Sequence, residues 1–241
     1  LHEHCYRVLG LKGYRYRLSL HDSRRMQDFD GEPAVWLQAE ELLRDALEYL
    51  KLAYFEAPGE AAFYGPKIDV QMAIGEGSEE SIASVQLDFN SAKKFDLSFI
   101  ASSGESVSPW IIHRAPLGSH ERFVALLLEY YQGRLPGWLS PVQVMIFPVG
   151  EEAFKEAQEL AEKFRASQIR ALVSLGQGSL SKRIREAHRL RPFSKMVIGE
   201  KEMNSGLFQL DFREEIISVR KDELCSSLEE RISSPSLEMC N

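Results

Sequence analysis

Two residues suggest chemistry by their types and spacing, His113 and Arg122, within His113-Arg114-Ala115-Pro116-Leu117-Gly118-Ser119-His120-Glu121-Arg122-Phe123. An arginine cannot lose its charge near neutral pH, and its planar fork suits an anionic ligand such as a nucleotide phosphate. Taken alone, Arg122 could equally form a surface ion pair with Glu121 or Glu129, and His113 could be a buried, hydrogen-bonded strand histidine. A second candidate pair is Tyr64 and Lys67, which flank Gly65-Pro66. That dipeptide forces a turn and would present both side chains together; the plain alternative is a hairpin turn with a solvated lysine.

The elements that must hold these residues are legible around them. Trp110-Ile111-Ile112 is apolar and β-prone, and Val124-Ala125-Leu126-Leu127-Leu128 is apolar enough for a buried helix. Between them, Pro116, Gly118 and Ser119 supply a turn and an N-cap. The layout predicts a histidine on a strand and an arginine on the next helix, both facing one cleft. Ile68, Val70 and Met72 alternate with Asp69 and Gln71 as the two faces of a strand, and Gln86 lies opposite Val85 and Leu87 on another.

These residues carry a resemblance to the threonyl branch of the class II aminoacyl-tRNA synthetases. The segment from His113 is similar to the third signature motif of that class. Three further stretches match in the same order: Ala62-Phe63-Tyr64-Gly65-Pro66-Lys67-Ile68-Asp69, Val85-Gln86-Leu87-Asp88-Phe89 and Trp138-Leu139-Ser140-Pro141-Val142-Gln143-Val144. The resemblance implies an ATP-dependent reaction, with Mg2+, that activates threonine and transfers it to tRNA. It implies catalytic roles for Arg122 and Lys67 and substrate binding by Tyr64, Gln86 and Ser119. His113 would be one of three zinc ligands, the others being a cysteine and a histidine expected upstream. A zinc site in this chain alone is therefore expected to be empty or weak. In the family, zinc accepts the substrate amine and hydroxyl in open positions, which excludes valine. The arginine of the second signature motif is also missing, so these 241 residues are expected to carry one wall of the site and no activity alone.

Composition is that of an ordinary globular protein, 44% hydrophobic and 27% charged. No run approaches the roughly 20 apolar residues a membrane span needs, and no signal peptide opens the chain, which points to the cytoplasm. Cys5, Cys225 and Cys240 lack metal-type spacing and are expected as reduced thiols. A net charge of −7 argues against a general nucleic-acid binder, yet from Ser140 onward 15 Lys and Arg face 16 Asp and Glu, so nearly all the excess acid precedes it. Lys182, Arg185 and Arg189 fall on one helical face, either a phosphate-binding stripe for RNA or a solvated surface.

Along the chain, strands are expected over residues 14–20, 68–72 and 84–89, and an amphipathic helix over 34–50. Gly133, Pro136, Gly137 and Pro141 mark a boundary, dividing the chain into 1–139, part of an antiparallel class II sheet with helices, and 140–241. The latter reads as strands at 142–149, 169–175, 195–199 and 207–212, with helices at 151–165, 179–191 and 221–232. That alternation predicts a small three-layer α/β domain over a mainly parallel sheet, and it is similar to the anticodon-binding domain of the same enzymes.

Three departures stand against the family pattern. Ser81-Ile82 replaces a glutamine followed by cysteine, Gly176-Gln177-Gly178-Ser179 replaces Arg-Asn-Glu-Lys, and Gln209-Leu210-Asp211-Phe212 lacks the usual arginines. They keep open a non-catalytic synthetase-like protein that binds tRNA or a protein partner. A weaker reading is a metal hydrolase built on His2, His4, Cys5 and His113. The leading leucine suggests a piece of something longer. The family's homodimer contacts lie largely upstream, so a monomer or a different pairing is expected.

Overall fold

The computed structural model describes residues 1–74, 77–176 and 178–233. The tip of the Gly- and Glu-rich turn at 75–76, Gln177 and Cys240 lie outside the described residues. The chain divides into two compact units, Leu1–Glu129 and Tyr130–Asn241.

The first unit is built on a five-stranded sheet. It opens with helix α1 (His2–Val8), where the sequence suggested no element. Next come β1 (Arg15–Leu20), α2 (Pro33–Tyr49), β2 (Tyr54–Pro58), β3 (Lys67–Ile74) and β4 (Ser78–Asp88). The short α3 (Ser91–Lys94) and a hairpin of β5 (Phe99–Ile100) and β6 (Ser106–Val107) lead to β7 (Ile111–Ala115) and α4 (His120–Tyr130). The strand order is β2-β1-β3-β4-β7, antiparallel except for β1 and β2, which run parallel. The parallel edge strand β2 was not foreseen in the sequence. The run Tyr54-Phe55-Glu56-Ala57-Pro58 shows no apolar–polar alternation, and its strand character comes from pairing with β1.

Alternation splits this sheet into two chemically distinct faces. Tyr16, Leu18 and Leu20 of β1 and Val70 and Met72 of β3 are buried on one of them, and α2 packs against β1 through its apolar stripe. Trp36, fully buried, is the anchor: Phe29, Phe89 and His21 surround its ring, and its indole N–H donates 2.8 Å to the Asp30 carbonyl. The other face carries the polar residues of β1, β3, β4 and β7.

The second unit contains β8 (Val144–Pro148), α5 (Glu151–Ala166), β9 (Ala171–Val173), α6 (Leu180–Ala187), β10 (Ser194–Ile198), α7 (Glu200–Ser205), β11 (Leu207–Phe212), β12 (Ile216–Arg220) and α8 (Leu224–Ile232). The order is β12-β11-β10-β8-β9, with β9, β8 and β10 parallel and the other two antiparallel. Ala157, Leu160 and Phe164 of α5 and Leu224 and Leu228 of α8 join Val144 and Ile146 in one core. Leu180, Ile184 and Ala187 of α6 cover Met145 and Phe147 on the opposite side. This is the three-layer arrangement the alternation predicted. The strand β12 and helix α7 were not foreseen; both are short, at five and six residues, and α7 is mostly polar, so neither has a periodic pattern long enough to declare itself. The Gly- and Pro-rich stretch at 133–141 is bonded into this unit, with Gln143 Nε2 donating 3.0 Å to the Gly137 carbonyl and Arg170 donating 2.7 Å to that of Trp138.

A candidate adenylate-forming wall and a cationic α/β surface

Register assembles the polar face of the first sheet. Lys67, Gln86 and His113 are cross-strand partners in one row, and Arg17, Asp69, Ser84 and Ala115 form the next. The turn before β3 fits there because residue 65 is glycine: a Cβ would sit 2.0 Å from the Leu87 carbonyl oxygen. Gln86, buried, donates from Nε2 to the Gly65 carbonyl at 3.1 Å, tying the Tyr64 turn to β4. The Tyr64 ring stands edge-on to the His113 ring at 6.2 Å. Tyr64, Lys67, Gln86 and His113 are therefore brought together.

Two buried carboxylates organise this face, and sequence reasoning assigned neither a role. Asp69 accepts from Lys67 Nζ at 2.6 Å, Arg17 at 3.0 Å and Ser19 Oγ at 2.8 Å. Asp88, fully buried, accepts from His113 Nε2 at 2.8 Å and from the backbone N–H groups of Asn90 and Ser91, each at 2.8 Å. Burial alone would push the Asp88 carboxyl upward. The hydrogen bonds from His113, the Ser91 side chain and the Ser91 and Asn90 backbone outweigh it and hold the group at about 2. The strand alternation was the available signal, since Asp69 shares a face with Lys67, and Asp88 with Gln86.

Arg122 lies at a different place on the same unit. It lines a hollow of about 450 Å³ together with Ser81, Ile82, Gly118, Ser119 and Glu129. Ser119 caps α4 weakly, its Oγ accepting from the Arg122 N–H at 3.4 Å. Gly118 has φ +57° and the Ile82 carbonyl 2.8 Å from where a Cβ would be, so glycine alone fits without a shift. Among the described residues the Arg122 guanidinium has no hydrogen-bond or ion-pair partner, Glu121 and Glu129 included. Tyr64, Lys67, Gln86 and His113 do not line this hollow. What joins it to them is Ser81, which accepts from Gln71 Nε2 at 2.6 Å and from Arg17 at 3.5 Å. A bulge in β4 opposite Val70 and Gln71 gives β4 one extra residue and turns Ser81 onto the polar face. The path runs Lys67, Asp69, Arg17, Ser81 and ends at the hollow.

Among the described residues, no three His, Cys, Asp or Glu side chains gather closely enough to hold a metal ion. His113 presents Nε2 to Asp88, and His2 is buried within α1. The residues present do not make a zinc site by themselves, and a hydrolase centred on His2, His4, Cys5 and His113 has no metal-binding group there to stand on. Cys5 and Cys225 are free thiols. No described helix is long and apolar enough to cross a membrane.

In the second unit, Ser179 Oγ caps α6 by accepting from the Lys182 N–H at 3.4 Å. Lys182, Arg185 and Arg189 are exposed, and among the described residues only Lys182 of the three has an ion-pair partner, Glu186 at 4.0 Å. Arg183 turns inward and donates 2.7 Å to the Pro148 carbonyl. Asp211 pairs with Lys195 at 2.9 Å.

The first unit thus presents a polar sheet face and an unpaired arginine on a capped helix, and a separate α/β unit follows it; each unit matches a known family model. Residues 1–131 match the model of the tRNA synthetase class II core domain (G, H, P, S and T), and residues 143–231 that of an anticodon binding domain. The chain belongs to the class II tRNA synthetases. Within that class its relatives are threonine--tRNA ligases. The one from Halalkalibacterium halodurans is 39% identical over 201 residues, which make up 83% of this chain and 31% of that protein. That of an Exiguobacterium species is 36% identical over 236 residues, 97% of this chain and 36% of the other. The RNA binding domain of threonyl-tRNA synthetase from Cryptosporidium parvum Iowa II matches with a TM-score of 0.82 at 29% identity, covering 97% of this chain and 58% of that one. The chain spans about a third of the length of the curated relatives it matches.

Proposed function

We propose that this chain supplies one wall of a threonine-activating, ATP-dependent site and the tRNA-binding domain of a threonyl-tRNA synthetase, working in the cytoplasm. The observation that carries the reading is the unpartnered Arg122 guanidinium at a hollow joined by hydrogen bonds to the Tyr64, Lys67 and Gln86 face. Arg122 would hold ATP phosphate, with the Ser119 end of α4 beside it. An unpaired guanidinium loses no carboxylate partner when it takes a phosphate. Gln86 and Tyr64 would position threonine on a face whose geometry is fixed by Gly65. Lys67 starts from an ion pair with Asp69, so any nucleotide contact would share it with that carboxylate. His113, oriented by Asp88, would offer its other ring nitrogen as one ligand of a zinc site completed outside this set of residues. The zinc, where bound, would sort threonine from valine, and Mg2+ would accompany ATP. Lys182, Arg185 and Arg189 would take tRNA phosphates.

The test is ATP–pyrophosphate exchange with threonine, serine and valine, in a chimera that places this chain in the matching third of the Halalkalibacterium halodurans ligase. Threonine-dependent exchange is expected, lost on the order of 10²-fold or more in Arg122→Ala. Residues 1–241 alone should show no exchange. A chimera that folds, binds tRNA and is inert would favour the non-catalytic reading, to which the changes at Ser81 and around Gly176 lean.

A further inference from the structure

The second unit holds a hollow that neither the α6 stripe nor the first unit's site explains. It measures about 400 Å³ and is lined by Arg134, His188, Arg191, Pro192, Lys195 and Arg213. Among the described residues no carboxylate lines it, and of its lining residues Lys195 alone has an acidic partner, Asp211. Arg213 donates to backbone carbonyls, at 2.8 Å to Arg191 and 3.3 Å to Leu135, and Arg191 donates to the Gln132 carbonyl. Carbonyls orient a guanidinium without neutralising it. Arg134 has no side-chain partner among the described residues. Three guanidinium groups therefore meet with no carboxylate bonded to any of them among the described residues, although Glu214 and Glu215 share an adjoining hollow with Arg134 and Arg213; burial, together with Arg134 and Arg191, pulls the Arg213 pKa below its ordinary value.

We propose that this hollow is a phosphate-binding site. Three fixed guanidinium forks and an ammonium need an acceptor with several oxygens and more than one charge, which a lone carboxylate does not offer and a phosphate or pyrophosphate does. Like charges held together cost stability until an anion arrives. The hollow sits where β10 begins and β11 ends, at Ser194 and Phe212, whereas Gly176 and Ser179 follow β9 at the opposite end of the parallel strands. The phosphate can come from the RNA backbone or from a free phosphate compound. The proposal does not rest on the activity proposed above.

The probes are inorganic pyrophosphate, followed by thermal shift of the full chain at low salt, and bulk tRNA, followed by filter binding across a KCl series. The variants are Arg134→Glu and Arg134→Gln, which break no side-chain hydrogen bond, with Arg185→Glu as a control outside the hollow. If the ligand is a free phosphate compound, pyrophosphate raises the melting temperature, and both Arg134 variants weaken its apparent affinity at least tenfold while Arg185→Glu does not. If it is RNA, pyrophosphate has little effect, and Arg134→Gln makes the slope of log K against log salt shallower by about 1. Pyrophosphate binding that ignores Arg134, or no change in either measurement, overturns the proposal. A failure of tRNA binding through the α6 stripe would leave the pyrophosphate result untouched.

Discussion

The polar sheet face of the first unit and the cationic surface of the second handle charge in opposite ways. In the first, Lys67 and Arg17 share Asp69, and His113 is held by Asp88, so most charge is satisfied inside the protein. In the second, Arg185, Arg189 and Arg134 have no carboxylate partner among the described residues, and Arg191 and Arg213 are held by carbonyls. The first pattern fixes geometry, as a small substrate requires. The second leaves charge available to a polyanion and makes binding depend on salt. Arg122 departs from that pattern in the first unit: among the described residues its guanidinium has no partner, as with the arginines of the second, and on this its proposed phosphate contact rests.

If the contrast is right, substitutions in the first face should cost stability and those in the second should not. Asp69→Ala should be the most damaging, since it leaves two cations and a hydroxyl around a buried vacancy; a loss of about 3–5 kcal/mol is expected in urea denaturation. Asp88→Asn should cost about 2 kcal/mol near neutral pH. The sign follows from the depressed carboxyl: its contribution is full above about pH 4 and is lost as pH falls toward 2. The stability difference between wild type and Asp88→Asn should therefore shrink between pH 5 and pH 2.5; a constant gap would mean the hydrogen bonds do not favour the ionised form. Gly118→Ala should cost about 1–2 kcal/mol through its positive φ and the Ile82 carbonyl. At the far end, Lys182→Ala/Arg185→Ala/Arg189→Ala should change stability by less than about 0.5 kcal/mol. The same variant should make the salt slope of tRNA binding shallower by about 2 to 3. A stability loss there as large as that of Asp88→Asn would erase the distinction.

Much of the architecture was legible where a periodic apolar pattern ran for several residues. Val35, Leu43 and Leu47 announced α2, and Ala157, Leu160 and Phe164 announced α5. The turn before α4 was readable from Gly118 and Ser119. Helix α1 was hidden because its burial depends on distant partners: Tyr6 packs beside Tyr14 and donates to the Pro116 carbonyl, and Glu3 accepts from Tyr14 and Tyr16. The candidate site was readable only as a set of residue types. That Ser81 belongs to it, although the family pattern has glutamine there, follows from a bulge that no local composition signals. The hollow of the second unit was equally invisible, because Arg134, Arg191 and Arg213 are far apart in the chain.

By itself the sequence determined the long amphipathic helices, the strands with a clear apolar pattern and the side of them that is apolar, and the glycines that the turns demand. These are set within a few residues by backbone sterics and by the period of burial. Only the tertiary structure decided that β1 and β2 run parallel, that Asp88 orients His113, that Arg122 keeps its charge free, and that cations from three segments meet at one hollow. Those outcomes depend on register and on contacts between residues dozens of positions apart, whose closure is fixed by packing the whole unit and not by any local preference.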